Sequence, residues 1–282
     1  MSAASTLIKF ARKPRREKIT SARNRLIDWG WFVPHTGNDR TAYIVGLFGT
    51  GRWYINELVL KNMGERAKNF RDEFRFHPGP TSMIYSGHAT IKHACRGQGL
   101  PEVTTRILEA VNSGFADLIF ACRHPLDSLL TNWVWWRTLN RHGSYAFISD
   151  KYRNEDELYA ELDRNFSEFM SFAAGEPSFF AGLGGPRFLS LSEFVEEIEL
   201  YSQAATLSLR LEDFMGDPLK EFHKIAKVMS VDVASSPSQI ERPRTKAYRY
   251  LSVAEHVPRF RSFLDGIDAE TRRRINKIGY SV

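Results

Sequence analysis

Residues 118–131 read Leu118-Ile-Phe-Ala-Cys122-Arg123-His-Pro-Leu-Asp127-Ser128-Leu-Leu-Thr131. The run of apolar residues that ends at Cys122 has the length and composition of a buried strand. Pro125 and Asp127, close behind it, are typical of the first turn of a helix. We therefore expect Arg123 to lie at the end of a strand, with Thr131 one to two turns into the following helix.

The same alternation of strand and helix continues along the chain. Short apolar runs predict strands over residues 41–48, 81–86, 116–122 and 206–211. Apolar residues at helical spacing predict helices over 53–63, 101–112, 126–139, 155–174, 191–205, 218–229 and 268–278. This order indicates an α/β domain with a mostly parallel central sheet flanked by helices. Ligands of such sheets bind beyond the carboxyl ends of the strands.

The positive charge is concentrated at the N-terminus. The chain has 282 residues and a formal charge of +6, yet residues 1–25 hold eight basic side chains against the single acid Glu17. The remaining residues are therefore close to neutral, which excludes a uniformly basic nucleic-acid-binding body. We expect a basic arm over residues 1–25 and a single α/β domain over residues 26–282. A transit peptide is an alternative for the arm, although Pro14 and Glu17 disfavour it.

Composition also indicates which cellular compartment to expect and whether a metal ion is bound. We find no apolar run long enough for a membrane helix and no secretory h-region, so we expect no membrane span. The two cysteines, Cys95 and Cys122, have no pair spacing and no accompanying ligand cluster. We therefore expect a reducing, cytoplasmic setting, interpret both thiols as packing groups and expect no metal.

A glycine-rich loop follows the first predicted strand: Gly46-Leu-Phe-Gly49-Thr50-Gly51-Arg52-Trp53. Its glycines let backbone amides converge at a helix N-terminus, which favours an anion. Arg52 can add a bidentate contact to phosphate or sulfonate oxygens. The alternative is a turn whose glycines only let the helix pack closely on the sheet.

The spacing of this loop nearly matches the nucleoside-triphosphatase loop, so we expect a P-loop-like, three-layer fold. However, Arg52 stands where that loop has lysine, and Trp53 stands where it has the hydroxyl that holds Mg²⁺. A P-loop phosphotransferase or kinase is therefore the weaker enzymatic hypothesis.

Arg123 and Thr131 define a second candidate anion site. A guanidinium and a hydroxyl near a helix N-terminus both suit a phosphate. The alternative is a structural Arg123–Asp127 pair that caps the helix.

This second motif, Arg-x-Pro-x-Asp with Thr131 eight residues after Arg123, resembles the 3′-phosphate-binding motif of PAPS-dependent sulfotransferases (PAPS is 3′-phosphoadenosine 5′-phosphosulfate). The resemblance implies that Arg123 and Thr131 hold the 3′-phosphate. The glycine-rich loop is similar to the 5′-phosphosulfate loop of that family. The positions implied to bind there are Gly49, Thr50, Gly51, Arg52 and Trp53, with Arg52 supplying the charge that the family places on the residue aligned with Gly49.

Two later segments extend the resemblance over roughly residues 41–280. Residues 209–218 contain Glu212-Asp213 and Asp217-Pro218, and the chain ends near Ile278-Gly279-Tyr280. The resemblance, to bacterial members of the family in particular, implies a sulfotransferase. Such an enzyme moves a sulfuryl group from PAPS to a hydroxyl, or an amine, of a carbohydrate or small-molecule acceptor, in line and without a metal.

The reaction needs a base for the acceptor proton and charge at the transferring group. Arg52 is the candidate for the charge. His88 lies just after the strand predicted over residues 81–86 and resembles the catalytic histidine of many sulfotransferases, and the ordinary pKa of a histidine suits the role of base. The alternatives for the base are His93, Glu65 and Glu73.

The remaining histidines, His124 among them, show no ligand spacing, so we interpret them as packing or surface residues. Trp133, Trp135 and Trp136 are interpreted mostly as core rather than as a stacking platform. A nucleic-acid-binding module that uses residues 1–25 is the non-enzymatic alternative. For the enzyme we expect no nucleic-acid partner and leave a homodimer open.

Overall fold

The centre of the molecule is a parallel β-sheet. The computed structural model describes residues 41–47, 49–63, 67–69, 83–88, 107–109, 111–112, 114, 116–142, 155–176, 189–230 and 249–282. In these ranges the strands are β1 (Thr41–Gly46), β2 (Ala67–Asn69), β3 (Met83–His88), β4 (Asp117–Cys122) and β5 (Leu207–Arg210). They lie in the order β2-β3-β1-β4-β5, and all neighbouring pairs are parallel. Parallel neighbours require crossover connections, which here include helices.

The helices in the described ranges are α1 (Arg52–Met63), α2 (Pro125–His142), α3 (Glu155–Arg164), α4 (Phe166–Ala173), α5 (Leu191–Ala204), α6 (Leu211–Gly216), α7 (Pro218–Val228), α8 (Tyr250–His256), α9 (Pro258–Asp265) and α10 (Ala269–Lys277). Residues 107–109 and 111–112 are helical as well. None of the helices in the described ranges is both long and apolar enough to cross a membrane.

The period of two along the strands sends alternate side chains to opposite faces of the sheet, and helices cover both faces. On one face the strand residues pack against α5, and on the other they pack against α1, α6 and α7. The first set includes Tyr43, Val45 and Phe120 with Phe194 and Ile198, and the second includes Ile44 and Ile119 with Ile55, Phe214 and Phe222. The expected three-layer α/β class is confirmed.

A further apolar cluster lies around α2, outside the two layers that cover the sheet. Phe169 of α4 is fully buried there, with ring centroids 5.9 Å from Trp133 and 5.5 Å from Phe260. Trp135 and Trp136 are partly buried against the same cluster. The interpretation of these tryptophans as core is therefore confirmed, and the cluster holds α2 in place.

The elements differ from the sequence-based expectation in a few places. The single helix predicted over 155–174 is divided at Asn165, whose φ of −116° and ψ of 32° depart from helical values. The Glu161 carbonyl accepts from both the Asn165 backbone amide at 3.1 Å and its side-chain amide at 2.7 Å. Strand β2 and helices α6, α8 and α9 were not predicted. A three-residue strand and helices of about two turns contain too few repeats of the apolar spacing to be recognised in a sequence.

We expect Phe169→Ala to lower the free energy of unfolding by about 3–5 kcal/mol, because it leaves a cavity among packed rings. The matched control is Phe166→Ala, since Phe166 is only half-buried with its ring centroid 5.8 Å from that of Phe169. That variant should lose roughly 1–2 kcal/mol. Chemical denaturation measures both, and equal losses would contradict the central place of Phe169.

Candidate functional site

The candidate site lies where the parallel strands end. Gly46, the last residue of β1, is paired with His88 of β3 on one side and with Ala121 of β4 on the other. Cys122 of β4 is in turn paired with Arg210 of β5. The residues that follow β1, β4 and β5 therefore start from one edge of the sheet, as expected for a ligand site of a parallel α/β domain.

The glycine-rich loop after β1 is held by its own hydrogen bonds. The fully buried Thr50 donates its hydroxyl to the Leu47 carbonyl at 2.7 Å, and the Tyr54 amide donates to the Gly51 carbonyl at 3.0 Å. Gly49 and Gly51 have φ values of +79° and +74°, in the left-handed region that favours glycine. Thr50 thus stabilises the turn that leads into Arg52.

The loop also contacts α2 through Gly49. A methyl group on Gly49 would lie 2.7 Å from Asn132 Oδ1 and 2.9 Å from the Ser128 carbonyl oxygen. The hydroxyl of Ser128 approaches the Gly49 carbonyl oxygen at 3.4 Å. Gly49 therefore permits a close approach of the loop to α2, which differs from the alternative interpretation that the glycines let α1 pack on the sheet. This approach is compatible with an anion site, because the same packing brings the two loops together.

Arg123 connects the two loops. Its Nη1 donates to Thr131 Oγ1 at 2.8 Å and to the Gly49 carbonyl at 3.5 Å, while Nη2 lies 3.7 Å from Asp127 Oδ2. Thr131 donates its own proton to the Asp127 carbonyl at 2.8 Å. The structure thus brings Arg123 and Thr131 together as the spacing predicts, and the alternative Arg123–Asp127 pair is formed as well.

Both arginines carry their charge in a buried position. Arg52 is 7% exposed and Arg123 is 5% exposed. Burial lowers the pKa of Arg52 to about 10 and lowers the pKa of Arg123, the latter against the opposing charge of Asp127. Both guanidinium groups remain protonated at neutral pH, but part of their hydration is lost. An anion at this edge of the sheet would stabilise both charged forms.

Residues from distant parts of the chain surround the start of α2. Glu212 Oε1 accepts from the His124 amide at 2.9 Å, and Glu212 Oε2 accepts from the Tyr280 hydroxyl at 3.2 Å. Asp127 Oδ1 accepts from the Tyr250 amide at 2.8 Å. In the sequence, Glu212 and Tyr280 stand out only as parts of the segments that resemble sulfotransferases, and Tyr250 does not stand out at all, because no local pattern signals these contacts.

Of the remaining candidate site residues, His88 and Trp53 lie within the described residues and three others do not. His88 has its backbone at the shared edge, directly beside Gly46, and Trp53 lies in the first turn of α1. His93, Glu65 and Glu73 lie outside the described residues. Within the described ranges, no group of three or more His, Cys, Asp or Glu side chains could hold a metal ion.

Comparison with known proteins finds likenesses among solved structures but not among sequences. No protein-family model matches the sequence, and a search of curated proteins finds no match. Among solved structures, the crystal structure of mouse sulfotransferase SULT7A1 complexed with PAP matches at 13% identity and a TM-score of 0.41. The match covers 87% of this chain and 84% of that chain. A TM-score below 0.5 is too low to favour a sulfotransferase over a P-loop phosphotransferase or a nucleic-acid-binding module. The choice among these functions therefore rests on the geometry of the site.

Gly49→Ala should destabilise the protein by roughly 2–5 kcal/mol, because it adds a clash with α2 to the cost of a left-handed alanine. Gly114→Ala is the matched control, since Gly114 has a φ of +74° but no heavy atom within 4 Å of an added methyl group. It should cost about 1–2 kcal/mol. Denaturant unfolding of both variants measures the difference, and equal losses would show that the loop does not pack on α2.

Proposed function

We propose that the chain is a PAPS-dependent sulfotransferase. It would move a sulfuryl group from PAPS to a hydroxyl, or an amine, of a carbohydrate or small-molecule acceptor. The observation that carries the proposal is a pair of buried arginines in the segments that follow neighbouring parallel strands: Arg52 begins α1 after β1, and Arg123 follows β4. The two loops that carry them meet at the Gly49 carbonyl.

The two arginines suit a ligand with two separate anionic groups. Arg52 begins α1, so a 5′-phosphosulfate there would meet its guanidinium and the amides at the helix N-terminus. Residues 49–53 form this part of the proposed site. Arg123 and Thr131 are already joined at 2.8 Å and would share the 3′-phosphate. This division follows the resemblance of the two loops to the family motifs.

For the chemistry, PAPS supplies the activated sulfuryl group. His88, whose backbone lies at the same edge, is the proposed base that takes the proton of the acceptor hydroxyl. Arg52 and the loop amides would stabilise the negative charge that grows on the departing phosphate. This scheme places charge stabilisation on the chain's own groups and needs no metal.

The proposal also covers the organisation of the chain. Residues 26–282 would form the catalytic domain and residues 1–25 an arm outside it, in a cytoplasmic enzyme. His93, Glu65 and Glu73 remain the alternatives to His88.

Arg123→Ala should weaken binding of PAP, the product nucleotide, by about 100-fold. The reason is that charge-assisted hydrogen bonds contribute roughly 1.5–3 kcal/mol each and 1.4 kcal/mol corresponds to a factor of ten. Titration calorimetry measures the affinity. Arg123→Lys should recover only part of the loss, because lysine keeps the charge but not the bidentate geometry.

The matched control for this experiment is Arg259→Ala. The Arg259 side chain is 65% exposed and lies on α9, with an ion pair to the Asp163 carboxylate at 3.8 Å and a hydrogen bond to the Asp163 carbonyl at 3.5 Å. It should bind PAP as the wild type does. Unchanged affinity in Arg123→Ala would overturn the assignment of the 3′-phosphate site.

His88→Ala should reduce turnover by at least about 100-fold while the affinity for PAP is kept, because a general base acts on the acceptor and not on the nucleotide. Turnover is measured as transfer of labelled sulfate from PAPS to an acceptor panel. His93→Ala, Glu65→Gln and Glu73→Gln are the parallel variants. Near-normal turnover in His88→Ala would move the role of base to whichever of these three loses activity.

A further inference from the structure

His124, which follows Arg123 directly, is held at both of its ring nitrogens. Nδ1 accepts from the Leu126 amide at 3.3 Å, and Nε2 lies 3.0 Å from the Ser281 carbonyl oxygen. A carbonyl oxygen only accepts and an amide only donates, so Nε2 carries the proton and Nδ1 the lone pair. The neutral imidazole in this tautomer satisfies both contacts. Its Nδ1 acts as the cap of α2, which begins at Pro125.

Two aromatic rings enclose the imidazole. It stacks on Tyr250 with 4.2 Å between centroids and meets the Tyr280 ring edge-on at 5.1 Å. The Tyr250 hydroxyl donates to the same Ser281 carbonyl at 2.9 Å. His124 is therefore a buried junction between the start of α2 and the segment around residues 280–281.

The backbone of His124 is fixed as well. Its amide donates to Glu212 at 2.9 Å, and the carboxylate is held from its other side by the Tyr280 hydroxyl at 3.2 Å. Arg123 lies between this anchored residue and the end of β4. The position of the Arg123 guanidinium beside Gly49 and Thr131 thus depends on how His124 is held.

We propose that His124 is a positioning residue for the anion site: its neutral imidazole caps α2 and binds the Ser281 carbonyl, and so keeps Arg123 in place to bind a phosphate. The inference rests on the proposed function, in which Arg123 holds the 3′-phosphate of PAPS. Protonation at Nδ1 would place a new imidazole N–H opposite the Leu126 amide N–H, and two donors cannot form a hydrogen bond with each other. The cap would be lost and the arginine would no longer be held in one place.

The inference predicts an unusual dependence on pH. The charged and titratable groups that face His124 are Arg123, Asp127, Glu212, Tyr250 and Tyr280. Burial lowers the pKa of His124 below 6.5, against the opposing effects of the Ser281 carbonyl and the two carboxylates. The native imidazole therefore stays neutral above pH 6.5 and gains its proton only in more acidic solution. Phosphate affinity should fall on acidification, whereas a histidine that contacted the phosphate directly would strengthen binding.

Three substitutions separate the functions of the ring. His124→Ala removes every contact, His124→Phe keeps only the stacking on Tyr250, and His124→Asn keeps only an acceptor for the Leu126 amide. PAP affinity at pH 7.5 should fall about tenfold in the Ala and Phe variants, as when the binding-competent conformation drops to about a tenth of the population. The Asn variant should stay within about threefold of the wild type.

A second measurement uses the wild type across a pH series. The phosphates of PAP titrate near pH 6 themselves, so the informative quantity is the ratio of wild-type to His124→Asn affinity between pH 8 and pH 5. This ratio should fall about tenfold across the pH at which nitrogen NMR shows the wild-type imidazole gaining its proton. Nitrogen NMR of the wild-type imidazole should show the Nε2–H tautomer at pH 7.5.

The outcomes distinguish the two proposals. If the wild type binds PAP but the ratio stays constant across the pH at which NMR shows His124 gaining its proton, the positioning role is wrong and the proposed function stands. The same conclusion follows if the Phe variant binds PAP as the wild type does and the Asn variant does not. An Nδ1–H tautomer would overturn the positioning role in the same way. If Arg123→Ala and the wild type both fail to bind PAP, the proposed function fails and the positioning role fails with it.

Discussion

The hydrogen bonds of Arg123 are the interaction on which the rest of the site depends. One guanidinium donates to Thr131 in α2, the helix that follows Arg123, and to the Gly49 carbonyl of the other loop, with Asp127 close by. A buried cation is costly unless such partners surround it, so the side chain is confined to the place where the two loops meet. Glycine at position 49 is required there, because any side chain would push α2 away.

The sheet supplies the frame for this interaction. Because β1 pairs in parallel with both β3 and β4, Gly46, His88 and Ala121 lie side by side at the carboxyl edge. Helices pack on both faces, and the separate cluster around Trp133 and Phe169 anchors α2. The loops can therefore carry polar, irregular backbone while the elements around them are held by apolar packing.

Arg210, Glu212 and Tyr280, from the C-terminal third of the chain, lie against residues 122–124 at the start of the second loop. The Arg210 guanidinium lies 4.7 Å from the centroid of the Tyr280 ring, whose hydroxyl also approaches Cys122 Sγ at 3.7 Å. Burial raises the pKa of Cys122 to about 11, so the thiol stays protonated at neutral pH and serves as a packing group, as its sequence context indicates. His124, interpreted from the sequence as an ordinary packing or surface residue, instead joins α2 to residues 280–281.

Hydrophobic period and capping residues are local signals, so the amino-acid sequence was enough to predict the α/β class, the main strands and helices, and the spacing that puts Arg123 and Thr131 at one helix start. It did not reveal the break at Asn165 or the short helix α6. The contacts of Arg123 with Gly49, 74 residues away, and of the His124 amide with Glu212, 88 residues away, are visible only in the folded chain. Such pairings follow from strand register and helix packing over the whole chain, which no local pattern of residues encodes.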